Sequence, residues 1–278
     1  QGEEGVWDGP RSAKDVEKIV STVHKMWGDM PYARYEPRGY WFINMLTQSR
    51  GGLEHRNSTV LMGSRWAQRS HDEYLGWLSL VAHEYFHVWN VKTLRPIALG
   101  PFDYENEVYT PSLWVAEGIT AYYDNLLVRR AGFSTHKEYL DSFSKELKGL
   151  QEAPGRKVQS LRLSSFDAWI KLYRPDENSV NTAMSYYTKG AAVAFLLDAK
   201  IRELTQDKRN LDDVMRLAYK RYSGSKGYTE DQFRAVVEEV AGASLGSFFG
   251  DYVDGLKELD YKPALAYYGL RFKAPAKP

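Results

Sequence analysis

The first stretch of the chain has apolar residues at helical spacing. From Val16 to Val23 they lie three or four positions apart, which is the period of one face of a helix. Ser12 with Asp15 three residues later is typical of a helix start, and Gly28 is typical of a helix end. We therefore predict a helix that opens at Ser12 and stops at Gly28.

Two later stretches favour β-structure. Residues 39–47 and 58–63 are rich in aromatic and β-branched side chains, which suit a half-buried strand. Gly51 and Gly52 interrupt the pattern between them, as turn residues do. We predict two antiparallel strands on either side of this break.

From residue 72 onward the apolar spacing is helical almost throughout. Apolar residues three or four apart run from Leu75 to Trp89 and predict one helix. Thr110 followed by Pro111 predicts the start of the next helix, which we expect to continue to Gly132. Three later helix starts have the spacing of capping boxes: Thr135 with Glu138, Asn210 with Asp213, and Thr229 with Gln232.

This order of elements predicts an α+β fold. We expect a small β-bearing N-terminal lobe at about residues 1–90 and a mainly helical C-terminal lobe at about 91–270. Residues 271–278 include Ala274-Pro275-Ala276-Lys277-Pro278 and have the composition of a linker. Because the chain also begins at Gln1 rather than Met, we interpret it as a piece of a longer protein.

The composition narrows the classes of protein that fit. Lys and Arg total 37 against 36 Asp and Glu, so no excess of charge indicates nucleic acid or an anionic membrane as a partner. The chain has no Cys, which excludes a disulfide framework, a thiolate metal site and a Cys nucleophile. No apolar run reaches the roughly 18 residues that a membrane span needs. The function therefore has to be sought in specific sites.

A pair of histidines with a glutamate between them lies inside a predicted helix. In the segment HEYFH (83–87) the two imidazoles are four residues apart, so they point to the same side and can share one tetrahedral Zn²⁺. Glu84 is about 100° round the helix from His83, where its carboxylate can reach a water on the open side of the metal. We predict one Zn²⁺ per chain, bound by His83 and His87, with Glu84 as the general base.

Tetrahedral zinc needs a third protein ligand and keeps one open position in an enzyme. Glu105, Glu107 and Glu117 are the nearby candidates, and Glu117 is favoured because it lies on the helix predicted from Thr110. Asp124, about two turns further on the same face, can accept the free ring N–H of a zinc-bound His; the alternative is an ordinary surface position. Three isolated histidines are predicted not to bind metal: His24, His71 and His136.

Three segments resemble the motifs of a known family. HEYFHVWNVKTLRP (83–96), WVAEGITAYYDN (114–125) and GGLEH (51–55) are similar to those of the glycyl aminopeptidases, a branch of the gluzincin metallopeptidases distantly related to aminopeptidase N. The resemblance implies Glu117 as the third zinc ligand. It also implies a thermolysin-like catalytic domain over residues 1–270, with a β-rich domain upstream and a PDZ domain downstream.

The GGLEH segment supplies candidate substrate-binding residues. In the aminopeptidase N relatives, a Glu at the position of Glu54 holds the α-amino group of the substrate. A carboxylate fixed at one end of a cleft pairs with the ammonium and places the cleaved bond one residue away. Gly51 and Gly52 allow a peptide to approach the backbone closely. A solvated turn is the alternative for this segment taken alone.

A further segment, YYTKG (186–190), resembles the Tyr-Glu-Lys-Gly sequence of the related aminopeptidases. The resemblance implies that the Tyr187 hydroxyl donates a hydrogen bond to the oxyanion that forms during hydrolysis, a role for which a neutral phenol is suited. Thr188 occupies the position where the relatives have Glu, so the alignment of this segment with theirs depends on Lys189 and Gly190. Tyr186 remains an alternative donor.

These residues predict a zinc aminopeptidase that acts on peptides with a free N-terminus. The resemblance implies a preference for a small N-terminal residue, Gly or Ala, and suggests a periplasmic or otherwise exported protein. One alternative is a zinc endopeptidase in which Glu54 is structural. The other is an inactive peptide-binding relative, which the presence of Glu84 argues against, since a binding module needs no base.

Overall fold

The structure is a computed structural model that describes residues 5–34 and 39–273. Helices dominate it, and one three-stranded sheet is formed by the first quarter of the chain. The helix-rich α+β class is confirmed, whereas its division into two lobes stays a prediction. Of the predicted linker, residues 271–278, the part from 274 onward lies outside the described residues. No helix in the described ranges is long and apolar enough to cross a bilayer.

Helix α1 (Gly9–Trp27) begins before the predicted position. Asp8 caps it, because its Oδ1 accepts the backbone N–H three residues on at 2.9 Å. Ser12 lies inside the helix and donates its hydroxyl to the Asp8 carbonyl at 2.9 Å. The predicted start at Ser12 is wrong because Asp8, with Pro10 in the first turn, makes the better cap. The end at Gly28 is confirmed by its left-handed backbone, with φ of 74°.

The sheet has three strands rather than two. β1 (Trp41–Thr47) and β3 (Ser58–Ser64) pair in parallel, and β2 (Gly51–Glu54) pairs antiparallel with the other side of β3. The predicted antiparallel pairing of the two longer strands is therefore wrong. The chain reverses on either side of β2, so β1 and β3 run in the same direction. Gly51 and Gly52, predicted as a break, are ladder residues of this edge strand.

The two segments with the metal motifs form neighbouring helices. α2 (His71–Phe86) is capped by Ser70 and packs against α3 (Ile119–Arg130). The predicted helix start at Thr110 is wrong, since the Thr110 hydroxyl accepts a backbone N–H two residues on, at 3.3 Å, and forms a turn. One π-helical turn, Trp114–Gly118, precedes α3 instead. Such turns are frequent at functional sites.

The rest of the chain is mainly helical. The capping boxes predicted at three helix starts are all present. The α-helices after α3 are α4 (His136–Glu152), α5 (Leu161–Phe166), α6 (Ala168–Lys171), α7 (Ser179–Thr182), α8 (Tyr186–Thr205), α9 (Leu211–Tyr222), α10 (Glu230–Ala241), α11 (Gly246–Phe249) and α12 (Lys262–Tyr267). Single turns of 3₁₀-helix at Pro31–Arg34, Ala67–Arg69, Ile97–Leu99 and Pro154–Lys157 and a π turn at Gly250–Asp254 also occur.

A contact between two glycines places the candidate site segments side by side. A Cβ on Gly118 would lie only 2.6 Å from the Cα of Gly190, closer than side-chain and backbone carbons approach in proteins. The π turn that carries Glu117 is therefore pressed against the first turns of α8, which carry Tyr186 and Tyr187. Most of α8 is buried, so this contact lies within the core.

Candidate metal centre

His83, His87 and Glu117 come together between α2 and the π turn. One potential ligand atom from each lies within 4.8 Å of the others. Glu117 Oε2 is 3.3 Å from His83 Nε2 and 3.2 Å from His87 Nε2. His87 follows the last residue of α2, yet its N–H still bonds to the His83 carbonyl at 3.3 Å, so the helical spacing is kept. Two imidazoles and a carboxylate that converge in this way fit a catalytic zinc ion with one open position.

The three side chains set one another's protonation. Burial raises the pKa of the Glu117 carboxyl, but the two histidines outweigh burial and hold this pKa well below its usual range. Burial lowers the pKa of His83, but hydrogen bonds to Asp124 and Glu117 outweigh it and raise the pKa to about 10. A metal ion that binds here must displace the His83 proton, because only the neutral imidazole is a ligand.

Each histidine is oriented through its second ring nitrogen. His87 Nδ1 donates to the backbone carbonyl of Asn90 at 2.7 Å, and Asp124 Oδ2 lies 3.4 Å from His83 Nδ1. Such partners fix the tautomer and turn the Nε2 lone pair toward the metal position. Asn90 also donates through Nδ2 to two carbonyls of the π turn, at 2.9 and 3.2 Å. It thereby ties the end of α2 to the segment that carries Glu117.

Glu84 lies beside these three residues and is 5% exposed. Its Oε2 atom has no hydrogen-bond partner among the described residues, and a buried carboxylate oxygen is costly to leave without one. This orphaned oxygen fits a site where a bound group completes its hydrogen bonding. Burial raises the pKa of the Glu84 carboxyl, which brings a general base closer to neutral pH.

β2 passes close to this base. A Cβ on Gly52 would overlap the Glu84 carboxylate, so only glycine allows the strand to lie so near. Gly51 precedes it on the same edge strand. The close approach that the sequence assigned to a substrate is therefore made, at Gly52, by Glu84.

Glu54 ends β2 within reach of the metal position. One ligand atom each from Glu54, Glu84 and His87 lie within 4.8 Å of one another. Lys92 Nζ is 3.0 Å from Glu54 Oε1, and both side chains are mostly buried. The carboxylate predicted to bind a substrate amine thus has a cationic partner of its own.

Tyr187 is the tyrosine next to the two histidines. Its ring centroid lies 6.2 Å from that of His83, and it is partly exposed, whereas Tyr186 is only 1% exposed. The Tyr173 hydroxyl is 3.1 Å from that of Tyr186 and 3.2 Å from that of Tyr187. Burial and then the charge of Glu117 raise the pKa of the Tyr187 hydroxyl, which keeps it a neutral donor.

The two other candidates for the third ligand, and two of the histidines predicted not to bind metal, lie apart from this site. Glu105 and Glu107 are exposed on the segment before the π turn. His71 pairs with Glu138 at 3.0 Å, and His136 Nε2 contacts an arginine at 2.9 Å. Within the described residues, no metal-binding group that contains His83 or His87 includes any of these side chains.

Three residues of the site were not assigned a function from the sequence: Asn90, Lys92 and Tyr173. Asn90 and Lys92 follow His87 by three and five positions, and that proximity is the signal by which they could have been found. Tyr173 lies in a segment without a motif, so no pattern in the sequence identifies it.

Known proteins share this chain's central segment and its fold. The sequence profile of the M61 glycyl aminopeptidase family matches residues 76–193, a range that includes most of α2, the π turn and the start of α8. Among solved structures, an aminopeptidase N family protein from Idiomarina loihiensis is 34% identical with a TM-score of 0.88, and the match covers 93% of this chain. It covers 45% of that relative, so the chain spans less than half of the relative's length. No curated protein matches.

The helix-rich fold is shared with an aminopeptidase N family protein, which places the chain in a class of peptidases. Within that class the chain belongs to the M61 glycyl aminopeptidase family. The resemblance stated from the three sequence motifs is confirmed.

Proposed function

We propose that this chain is a zinc-dependent aminopeptidase domain that favours a small N-terminal residue, Gly or Ala. The observation that carries the proposal is the convergence of His83, His87 and Glu117 within 4.8 Å beside the orphaned carboxylate oxygen of Glu84. The preference for Gly or Ala is supported by the family resemblance. The same resemblance supports a thermolysin-like domain over residues 1–270 and neighbouring β-rich and PDZ domains.

His83, His87 and Glu117 would hold one Zn²⁺, which supplies Lewis-acid polarisation of the scissile carbonyl. Glu84 takes a proton from the attacking water and passes it to the leaving amine. Its buried position and raised pKa support this role. Tyr187 donates a hydrogen bond where negative charge develops on the carbonyl oxygen. Asp124 and Asn90 hold the two imidazoles in place.

Glu54 would hold the α-ammonium group of the peptide. Its carboxylate lies in a group with Glu84 and His87, so an amine bound there stands about one residue from the metal position. A charged contact of this kind is strong when it is mostly desolvated. An ammonium group held by Glu54 would place the first peptide bond of the substrate next to Glu84.

One observation favours the alternative of an endopeptidase. Lys92 already pairs with Glu54 at 3.0 Å, and a carboxylate that is neutralised by a lysine attracts an ammonium less strongly. In that case Glu54 and Lys92 would form a structural ion pair, and no residue of this pair would recognise the amino group of the substrate.

Peptides with free and blocked N-termini separate these two functions. The zinc-loaded chain should hydrolyse Gly- and Ala-amides or Gly-peptides and leave the N-acetylated peptides intact. Equal cleavage of both kinds at internal bonds would establish the endopeptidase instead. A chain that binds zinc and cleaves neither kind would be the inactive relative.

The variant Glu54→Ala sharpens this test. It should reduce kcat/KM for free-amine substrates by at least about tenfold, since one charge-assisted contact is worth about 1.5–3 kcal/mol. The matched control is Glu105→Ala, which removes an exposed carboxylate outside the site and should leave cleavage unchanged. Equal losses on free and blocked peptides in Glu54→Ala would remove Glu54 from its proposed role.

A further inference from the structure

An apolar pocket that the proposed reaction does not use lies next to the candidate metal centre. Glu117 lines one side of it, and its volume is about 360 Å³. This is within the size range of ligand pockets and is far more than a Gly or Ala side chain fills. Most of its wall is formed by Leu99, Phe102, Val108, Leu113, Trp169 and Tyr173.

The walls of this pocket are held in place. Trp169 and Tyr173 line it and are 45% and 58% exposed. Trp169 Nε1 donates to the Val108 carbonyl at 3.2 Å. The Tyr173 hydroxyl is fixed by its contacts with Tyr186 and Tyr187. The pocket is therefore preformed, with rigid apolar walls that reach the tyrosine next to the metal position.

Phe102 lines this pocket and contacts the lysine that pairs with Glu54. Lys92 Nζ lies 3.0 Å from Glu54 Oε1 and 4.6 Å from the centroid of the Phe102 ring. The Arg95 guanidinium lies over the same ring at 5.5 Å, and a Cβ on Gly100 would overlap Arg95. Two cations and a tightly packed loop thus hold one aromatic ring in position.

We propose that Phe102, held by Lys92, is a specificity-determining residue that closes the apolar pocket to the first side chain of the substrate. The inference rests on the proposed aminopeptidase function, in which the first residue lies between Glu54 and the metal position beside Glu117. The pocket is lined by both Glu117 and Phe102, and Lys92 contacts the Phe102 ring as well as Glu54. A first side chain larger than that of Ala meets the Phe102 ring, so only small residues bind productively.

The variant Phe102→Ala removes the aromatic ring and should change the preference of the enzyme. The kcat/KM ratio of Leu-amide to Gly-amide should rise at least about tenfold, as expected when an apolar side chain gains a pocket to bury itself in. Cleavage of Gly-amide should stay within about threefold of the wild type, because Gly needs no pocket. Lys92→Met should shift the ratio in the same direction. Glu105→Ala, which removes an exposed side chain on the same segment, is the control and should change nothing.

A second pair of measurements makes the outcome independent of turnover. Leu-amide binding, measured by calorimetry on zinc-loaded protein that carries Glu84→Gln to prevent turnover, should be about tenfold tighter with Phe102→Ala than without it. Adding Val108→Trp to fill the pocket should cancel that gain. Unchanged Leu-amide binding in Phe102→Ala, or a wild-type preference for Leu over Gly, overturns the inference. If the binding shift is present but neither the wild type nor any variant hydrolyses the amides, the proposed aminopeptidase function is contradicted and the role of Phe102 in selecting the side chain is not.

Discussion

Asp124 Oδ2 lies 3.4 Å from Nδ1 of His83, so the helical segment that carries Glu117 also supplies a carboxylate that orients an imidazole of the candidate metal centre. Removing that charge should weaken the metal site without removing a ligand. We expect Asp124→Asn to raise the zinc dissociation constant by about 10- to 100-fold, as changes to such partners typically do. Competition with a chromophoric chelator measures this constant.

The matched control is Asp141→Asn, which alters an exposed carboxylate on α4 that pairs with Lys137. It should bind zinc as the wild type does. Zinc affinity of the wild-type value in a folded Asp124→Asn protein would show that Asp124 is an ordinary surface position.

Glu84 should be separable from the metal ligands. Glu84→Gln keeps the shape of the side chain but cannot accept a proton, so we expect zinc content to remain and kcat to fall by about 10²- to 10⁴-fold. Metal analysis and hydrolysis of Gly-amide measure the two properties on one sample. Glu73→Gln, an exposed position on the same helix, is the control. Retained turnover in Glu84→Gln would rule out the proposed mechanism.

The elements that the sequence predicted correctly are those whose ends depend on local chemistry. The three capping boxes and the stop at Gly28 are contacts between residues at most four positions apart, so a short window contains them. The predicted strand pairing was wrong because the strands that pair in a sheet can be far apart in the sequence, so a short window does not determine the pairing. Nothing within residues 39–63 distinguishes Gly51 and Gly52 as strand residues from turn residues until the Glu84 carboxylate is seen against them.

The candidate site likewise combines residues that local spacing identifies with residues that only the packing of the fold brings together. The two histidines and Glu84 lie in one helical turn, where spacing alone determines which side chains share a face. The ion pair between Glu54 and Lys92 joins residues that are 38 positions apart, and Tyr173 reaches Tyr187 from a segment with no motif of its own. Such contacts depend on how the elements pack, and the spacing of residues along the chain does not reveal that packing.

The two neighbouring tyrosines should differ in their effect on catalysis. Tyr187 lies beside His83, so Tyr187→Phe should lower kcat by about 10²- to 10³-fold if its hydroxyl donates to the developing oxyanion. Tyr186→Phe removes a hydroxyl that is buried against Tyr173 and should lower kcat by less than about tenfold. Single-turnover rates on a Gly-amide compare the two. The reverse order of effects would assign the donor role to Tyr186.

The contact between Gly118 and Gly190 predicts a sharp difference between two Gly→Ala changes. In Gly118→Ala the new Cβ would lie 2.6 Å from Gly190 Cα and 2.7 Å from the Tyr186 carbonyl oxygen. Overpacking of this kind lowers the free energy of unfolding by about 1–3 kcal/mol. We also expect weaker zinc binding, because the shift moves the neighbouring Glu117. Chemical denaturation with and without zinc measures both effects.

Gly149 provides the control for that change. It lies within α4 and a Cβ there meets no atom within 4 Å. Gly149→Ala should therefore raise the free energy of unfolding by about 0.5–1 kcal/mol, the usual gain in helix propensity. Loss of stability in Gly149→Ala as large as in Gly118→Ala would show that the close helix contact is not the cause.

Glu146 on α4 should make the stability of the protein depend on pH. Burial and then the negative charge of Asp124 raise the pKa of its carboxyl to about 8, and Asn125 donates to its Oε1 at 3.3 Å. The folded state keeps this proton up to about pH 8, whereas the unfolded chain loses it near the ordinary value of 4.5. The folded state thus binds more protons than the unfolded chain between these pH values. The contribution of Glu146 to stability is therefore full below pH 4.5 and is lost as pH rises to about 8.

Glu146→Gln removes the titrating group but keeps an acceptor for Asn125. Between pH 5 and pH 8 the wild type should lose on the order of 2 kcal/mol more unfolding free energy than this variant, as measured by urea denaturation at both pH values. Glu152→Gln, an exposed position at the end of the same helix, should follow the wild type. An equal decline in Glu146→Gln and in the wild type would show that the carboxyl ionises normally despite its burial beside Asp124.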